Sequence, residues 1–289
     1  MNRRDALGAM CVFGGAAALA TRAAADELDE VFAPSMGVLV DTTKCLGCRM
    51  CEYACAEAND LPAPDADIDL AHERQTSPTR RTVVNRFQTE VGQVTVKRQC
   101  MHCLQPACAA ACLTNAMQRQ PQGPITWDEG RCMGCRFCMI SCPFDVPKFE
   151  YDSPVPRIEK CEMCWDRLEA GQQPACVERC PSGALEFGPR SELLERGKER
   201  IYQNPDRYVR HIYGEHEAGG TAWMYLASVP FNQLGFPDVG TTAYPVYTKE
   251  FLYAVPLVLT VLPPFLLAVS RAKRAGAVRG AVEQGESEP

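Results

Sequence analysis

Sixteen of the seventeen cysteines stand in four blocks of four, and their spacing is that of iron–sulfur ligands. Blocks one and three both read C-x2-C-x2-C-x3-C, the run with which bacterial ferredoxins bind cubane clusters. In such a run three thiolates bind one cluster and the fourth binds its neighbour. The blocks, in chain order, are Cys45, Cys48, Cys51 and Cys55; Cys100, Cys103, Cys108 and Cys112; Cys132, Cys135, Cys138 and Cys142; Cys161, Cys164, Cys176 and Cys180.

Sixteen thiolates at four per cluster predict four [4Fe–4S] clusters, with these cysteines as the iron ligands. A chain with four such centres is most simply an electron carrier. It shows no phosphate-binding glycine run in the right context and no C-x-x-C-H for covalent haem. We therefore assign no catalytic residue and expect no substrate site of its own.

Two other uses of cysteine have to be weighed. A disulfide framework does not require three cysteines at i, i+3 and i+6 in two separate places. Zinc sites combine C-x2-C pairs, and block four alone could form one. Zinc in one block, or a three-cluster protein, therefore stays open. A proline follows Cys142 and Cys180, as in the ferredoxin run, but is missing after Cys55 and Cys112.

The blocks form an internal repeat. Blocks two and four share the form C-x2-C-x(n)-C-x3-C, as blocks one and three share theirs. Each ferredoxin unit needs two blocks, so we predict an α+β fold of two tandem ferredoxin-like units over residues 26–190. Which blocks pair is open at this point. Residues 59–80 are polar, which predicts a surface insertion. Residues 191–248 are predicted to form an extended docking tail.

The 289 residues are 46% hydrophobic with a net charge of −6, which gives no reason to expect a nucleic-acid partner. Residues 1–25 are typical of a twin-arginine signal peptide, with Arg3 and Arg4 before an apolar stretch and Ala23–Ala25 at the cleavage site. That route exports folded proteins, which suits clusters built in the cytoplasm. The aromatic residue usual after the arginine pair is missing, and an amphipathic N-terminal arm is the alternative.

The C-terminal part predicts a membrane helix over residues 249–271. Phe251–Val269 carries no charge, and as a helix its nineteen residues span roughly 28 Å, close to a bilayer core. Three prolines weaken it, which favours packing on a membrane partner. Arg271, Lys273 and Arg274 would keep the tail, residues 272–289, in the cytoplasm and place the cluster domain in the periplasm. A buried core helix is the alternative.

Through all four blocks the chain resembles the four-cluster ferredoxin-like subunits of membrane-bound respiratory oxidoreductases. Within that family it is most similar to the HybA-type subunit of periplasmic nickel–iron uptake hydrogenases. The similarity lies in the N-terminal MNRR, in KRQCMHC at 97–103, in YGEHEAGGT at 213–221 and in the C-terminal span. The beta subunit of membrane-bound formate dehydrogenase is a close second.

The resemblance implies that block one pairs with block four and block two with block three. It implies four ligand sets: Cys45, Cys48, Cys51 and Cys180; Cys55, Cys161, Cys164 and Cys176; Cys100, Cys103, Cys108 and Cys142; Cys112, Cys132, Cys135 and Cys138. It also implies two partners, a catalytic subunit, with hydrogenase favoured, and an integral membrane subunit that reacts with quinone. Formate dehydrogenase or another molybdenum enzyme is the alternative catalytic partner.

A function of another class is a membrane-anchoring or assembly protein whose clusters are structural. Four basic residues beside ligands, Lys97, Arg98, Arg136 and Lys160, could raise cluster potentials, but we interpret each of them as a solvated surface charge. His102, between two ligands, could either pack or tune. Trp165 and Phe137 are expected to shield clusters from water.

Overall fold

The computed structural model describes residues 35–285, so the predicted signal peptide, residues 1–25, lies outside the described residues. The chain divides into two units, one ending at Tyr244 and one that starts at Pro245. All sixteen block cysteines belong to the first unit, and the second is formed by a helix.

Most elements are short, as expected where backbone wraps around inorganic clusters. The strands are β1 Met36–Asp41, β2 Val83–Thr89, β3 Gly92–Arg98, β4 Met117–Arg119, β5 Ile125–Trp127, β6 Lys148–Phe149, β7 Ile158–Glu159, β8 Leu185–Pro189 and β9 Trp223–Leu226. The α-helices are α1 Met50–Ala58, α2 Ala107–Ala110, α3 Phe137–Ile140, α4 Trp165–Glu169, α5 Ala175–Glu178, α6 Arg190–Gln203 and α7 Tyr244–Gly285. Short 3-10 helices occupy Thr42–Lys44, Glu129–Arg131, Glu217–Gly219 and Phe231–Leu234.

Strand β1 is the centre of a three-stranded sheet in the order β8-β1-β9. It pairs antiparallel with β8 and parallel with β9, so that Val38 lies between Phe187 and Trp223. Its residues from Gly37 to Asp41 are all buried, which is the pattern of a strand covered on both faces. The sheet therefore joins the chain before block one to the chain after block four.

The two ferredoxin-like units are nested rather than consecutive, which corrects the tandem arrangement that we predicted. In the outer unit β1 pairs with β8, and α1 of block one packs on α5 of block four. In the inner unit α2 of block two packs on α3 of block three, beside the β4–β5 hairpin. The reason is the pairing of β1, because both of its partners, β8 and β9, follow all four blocks in the chain.

Residues 191–248, expected to be an extended tail, instead form part of the domain core. Helix α6 packs on β1 and β8, and every residue of β9 is buried. The aromatic rings of Tyr213 and Phe236 lie 4.6 Å apart, centre to centre, within the same core. The many glycines and prolines of this stretch suggested a loop. Its strand β9 instead pairs with the edge of β1 that β8 leaves free, and its side chains are buried there.

Gly214 shows how tightly this stretch is packed. Its φ is +98°, and a Cβ there would lie 2.4 Å from the carbonyl oxygen of Trp223 and 2.5 Å from Oγ1 of Thr221. Gly92, at the β2–β3 turn, has a similar φ of +104° but nothing within 4 Å of the same position. The two glycines thus separate backbone strain from lack of space.

We expect Gly214→Ala to lower the free energy of unfolding by about 2–5 kcal/mol, as the sum of left-handed strain and overpacking. Gly92→Ala should cost about 1–2 kcal/mol, because only the strain applies. Thermal denaturation of the two variants, followed by circular dichroism, measures the difference. Equal losses would show that Trp223 and Thr221 can move away from the added methyl group.

Helix α7 contains one span, Ala254–Arg271, long and apolar enough to cross a membrane, with a mean hydropathy of 1.7. Its eighteen residues rise about 27 Å. None of this span is buried within the protein, so the alternative of a core helix finds no support. Pro256, Pro263 and Pro264 lie inside the helix without ending it.

Candidate iron–sulfur centres

The loops of blocks one and three are two copies of one structure. Each begins with an aspartate whose carboxylate accepts a backbone N–H two residues on, at 3.1 Å from Thr43 to Asp41 and at 2.9 Å from Gly130 to Asp128. A single turn of 3-10 helix follows, and the first cysteine of the block is extended in both loops. The aspartate fixes the direction from which the loop enters.

The copies agree residue by residue inside the loop. Gly47 and Gly134 have φ values of +69° and +71°, and Arg49 and Arg136 have values of +62° and +60°. The helix of each block begins directly after its arginine. These left-handed turns curl the backbone around the space between the cysteines. The internal repeat predicted from the spacing is therefore present in the fold.

Two cavities are each lined by four cysteines, and we call them sites A and B. Site A encloses about 400 Å³ including its opening, and site B about 340 Å³. The cysteines of site A are Cys45, Cys48, Cys51 and Cys180, and those of site B are Cys55, Cys161, Cys164 and Cys176. Both sites combine thiols of blocks one and four, as the nested fold requires.

The other eight cysteines form two further groups, sites C and D. Burial raises the pKa of Cys103 well above its usual range, and the charges of Cys100, Cys142 and Cys108 raise it further. Burial likewise raises the pKa of Cys138 to about 12, with added effects of Cys108 and the three remaining thiols of its group. The cysteines of site C are Cys100, Cys103, Cys108 and Cys142, and those of site D are Cys112, Cys132, Cys135 and Cys138.

Electrostatic interactions between the groups put the sites in the order A, B, C, D. The charge of Cys176 in site B raises the pKa of Cys51 in site A, after the larger effect of burial. Cys161 of site B acts in the same way on Cys100 of site C. Cys108 of site C likewise raises the pKa of Cys138 in site D. Because each site interacts with the next one, a charge could cross the domain in three steps.

The donor set suits clusters rather than single ions. Among residues 35–285, no three His, Cys, Asp or Glu side chains lie close enough together to hold one metal ion. Thiolates on one zinc lie about 2.3 Å from the metal and thus within about 4 Å of each other. In a cubane each cysteine binds a separate iron, which needs the wider spacing. The sixteen described cysteines form no disulfide.

Polar groups around the thiols also fit a sulfur-rich occupant. The backbone N–H of Ala116 donates to Sγ of Cys112 at 3.1 Å, and that of Met163 to Sγ of Cys161 at 3.3 Å. The fully buried ring of His102 accepts the N–H of Ile125 at Nδ1, 2.8 Å away. Its Nε2 therefore carries the proton, and it has no partner within the described protein. A sulfur atom of a bound cluster would supply the acceptor that this N–H lacks.

Burial raises the pKa of several of the thiols. It raises the pKa of Cys108 and of Cys164 to about 11 in each case. These thiols hold their protons at neutral pH, and iron has to displace them, because only the thiolate is a ligand. Loading with iron therefore releases protons, and it becomes more favourable as pH rises toward these values.

Two of the four basic residues interpreted as surface charges are in fact buried, which corrects that interpretation. Lys97 and Lys160 are each only 2% exposed. Burial alone would lower the pKa of Lys97, but the thiolates of Cys176, Cys51 and Cys161 hold it above its usual value. The other two basic residues are less enclosed: Arg98 pairs with Glu73, and Arg136 stacks on Phe149.

Sequence reasoning missed two groups that shape the sites. Trp223 lines site B with a fully buried ring, although no periodic pattern marks β9. Glu52, inside the block-one helix, is buried at 2% exposure, where an acidic residue is rarely found. Of the expected shields, Phe137 is 50% exposed, and Trp165 packs partly buried against the core.

Fold and sites together define a ferredoxin-type iron–sulfur protein that transfers electrons. Residues 91–190 match the family model of the 4Fe–4S dicluster domain. The chain is 44% identical to a protein of Nitratidesulfovibrio vulgaris over 99% of its length and 81% of the relative. It is 34% identical to the hydrogenase-2 operon protein HybA of Escherichia coli O157:H7, over 94% of this chain and 95% of that protein.

The iron–sulfur subunit of formate dehydrogenase-O of Escherichia coli K12 is 33% identical, over 72% of each chain. The match with HybA covers nearly all of both chains. This chain belongs to the family of HybA-type ferredoxin-like iron–sulfur subunits.

Proposed function

We propose that the chain binds four [4Fe–4S] clusters in a row and carries electrons between a catalytic subunit and the membrane. The observation that carries the proposal is the division of sixteen thiols into four groups of four, each beside the next. One electron at a time passes along such a row, so that each step oxidises one cluster and reduces its neighbour. We assign the cysteines of sites A, B, C and D as the ligands of the four clusters.

A nickel–iron hydrogenase is the proposed catalytic partner, since the HybA relative belongs to a hydrogenase-2 operon and matches over nearly the whole chain. The second candidate is a formate dehydrogenase, because two iron–sulfur subunits of that enzyme are 32–33% identical over 65–72% of this chain. The catalytic subunit that co-purifies from membranes distinguishes the two.

The second proposed partner is an integral membrane protein that reacts with quinone. The span Ala254–Arg271 supports a membrane anchor, and the basic residues after it favour a cytoplasmic C-terminus. The cluster domain then faces the periplasm. A twin-arginine signal over residues 1–25 would bring it there already folded.

We assign site D to the end of the row that meets the membrane partner, because of the surface around this site. Leu113, Met133, Phe137 and Ile140 are 84%, 64%, 50% and 81% exposed. The first three directly adjoin cysteines of this site in the sequence, and Ile140 ends helix α3, which carries Cys138. Site A exposes one large apolar side chain in its loop, Leu46. A group of exposed apolar side chains at a cluster is typical of a protein interface.

The path of the chain agrees with this direction. The segment before α7 is held by the N–H of Gly219, which donates to the carbonyl of Thr241 at 2.9 Å. The next residue, Gly220, accepts the N–H of Leu104 at 3.0 Å, directly after Cys103 of site C. The segment before α7 is therefore anchored beside Cys103 of site C.

Purification from membranes under anaerobic conditions tests the proposal. We expect about sixteen iron atoms per chain and four one-electron steps in a potentiometric titration followed by electron paramagnetic resonance. A protein with far fewer iron atoms would refute the four clusters. Clusters that stay oxidised or reduced throughout would favour the structural alternative, an anchoring or assembly protein.

The double variant Leu113→Glu with Ile140→Glu tests the interface at site D. We expect it to weaken binding of the membrane partner at least tenfold, because two carboxylates would have to be desolvated in the interface. Co-purification with a tagged membrane partner provides the measurement, with iron content as a check on folding. The matched control, Val91→Glu with Tyr202→Glu, alters two apolar residues that are 62% and 88% exposed elsewhere. Equal retention of the partner by both double variants would remove site D from the interface.

A further inference from the structure

Lys97 lies between sites A and B. It lines both cavities, and its ammonium group donates to Oε1 of Gln99 at 2.8 Å. The same group lies 4.3 Å from the ring centre of Trp223. Gln99 in turn donates to the hydroxyl of Tyr225 at 2.6 Å. The ammonium group is therefore fixed in position by buried neighbours.

Lys160 has the same relation to sites B and C. It directly precedes Cys161 of site B, and its charge acts on Cys100 and Cys108 of site C. Its ammonium group donates to the carbonyl of Ile125 and, at 3.2 Å, to that of Cys161. Its hydrogen bonds thus hold it in the gap between the two sites.

Neither lysine has a carboxylate partner among the described residues, although most other basic side chains there form ion pairs. A buried ammonium group without a counter-charge is costly, and proteins avoid it. The negative charge that each lysine lacks is of the kind that a thiolate-bound cluster supplies. Both lysines therefore lie where a bound cluster would supply the missing negative charge.

The gap between sites C and D is built differently. It is filled by the apolar side chains of Met117, Ile125 and Ile158, which pack with Cys108 and Cys138. Lys160 meets this apolar group at the carbonyl of Ile125, where its charge acts on Cys108 of site C.

We propose that Lys97 and Lys160 set the potentials of the row: each raises the midpoint potential of the two clusters beside it, and cluster D is left unaffected. The proposal rests on the four clusters of the proposed function. A fixed positive charge stabilises the reduced, more negative form of a cluster and weakens repulsion between neighbours that are both reduced. The lysine keeps its proton while one electron moves, so each step needs no proton transfer.

Replacing Lys97 by methionine, which has a similar length and no charge, tests the first gap. We expect two of the four steps in the titration to shift at least tenfold toward the oxidised form, equivalent to 59 mV for one electron. Lys160→Met should shift two steps in the same direction. One of these, cluster B, should be common to both variants, and one step, cluster D, should move in neither.

Controls separate charge from structure. Lys97→Arg keeps the charge and should restore the wild-type potentials, and Lys198→Met removes a lysine that is 59% exposed and should shift nothing. If Lys97→Met loses iron, Lys97→Gln gives the neutral comparison. The inference is overturned if neutral variants with full iron content keep all four potentials. It is equally overturned if every neutral variant of both lysines loses iron, because the lysines would then be structural.

The proposed function has its own separate test in the wild-type protein. If that protein held fewer than four clusters, the row itself would be refuted before any lysine variant is compared. If it holds four and the variants change no potential, the row stands and only the role of the lysines is lost.

Discussion

Cys180→Ala should cost the protein the cluster of site A and no other, so that iron falls from about sixteen to about twelve atoms per chain. A smaller loss, of one iron, is expected if a three-iron cluster remains. The reason is geometric, because Cys180 of block four lines the same cavity as Cys45, Cys48 and Cys51 of block one. Electron transfer along the row should fail with it. Iron analysis and electron paramagnetic resonance after anaerobic purification give the measurement.

A double variant tests whether Cys48 and Cys180 bind the same cluster. If Cys48 and Cys180 serve one cluster, Cys48→Ala with Cys180→Ala should lose no more iron than the worse single variant. Cys142→Ala, matched in chemistry but assigned to site C, should add its loss in full when combined with Cys48→Ala. Additive losses for Cys48 and Cys180 would show that the two cysteines bind different clusters. Cys11→Ser, the cysteine outside the blocks, should leave the iron content unchanged.

Glu52→Gln should destabilise the domain by about 3–5 kcal/mol, the cost of leaving buried charges without their partner. The carboxylate of Glu52 pairs with Arg49 at 3.0 Å and with Arg74 at 2.5 Å, and it also accepts the backbone N–H of Val84. Arg49 is 7% exposed, so water cannot replace the lost charge. For a domain of this size the loss corresponds to a fall of about 6–20 °C in melting temperature. Visible absorbance of the clusters during heating reports it.

The control for this variant lies on the same helix. Glu57 pairs with Arg179 at 2.9 Å, but both side chains are at least half exposed. Glu57→Gln should therefore change the stability by less than about 1 kcal/mol. A similar fall in both variants would mean that the helix, rather than the buried charge, is sensitive to substitution.

The cluster-binding part could be predicted from spacing because the chemistry leaves little freedom. Three cysteines at i, i+3 and i+6 can reach three corners of one cubane only if the backbone curls in a particular way, and Gly47 and Gly134 adopt that curl. The similarity to a known family supplied the pairing of blocks. The spacing of the cysteines alone did not decide which blocks pair. The pairing depends on strands β1 and β8, and neither sequence indicates its partner strand.

The remainder depends on contacts that are remote in sequence. Strand β9 has four consecutive buried residues between glycines and a proline, and this pattern suits a loop as well as an edge strand. From the sequence, Lys97 is expected to be an ordinary surface residue. Its burial becomes visible only in the fold, where Trp223 packs over it. Residues 59–80 were expected on the surface, yet Arg74 reaches the buried Glu52 from there.

The nesting of the two units sets an order in which the clusters can be installed as the polypeptide emerges. Every ligand of sites C and D is present once the ribosome has passed Cys142, whereas sites A and B each wait for block four. Early in synthesis, Cys45, Cys48 and Cys51 of block one are present without Cys180, the fourth cysteine of site A. Block four completes site B at Cys176 and site A at Cys180, so a chain that ended before it would have only the cysteines of the inner pair complete. A prematurely released polypeptide would thus be distinguishable from a finished one by its metal content alone.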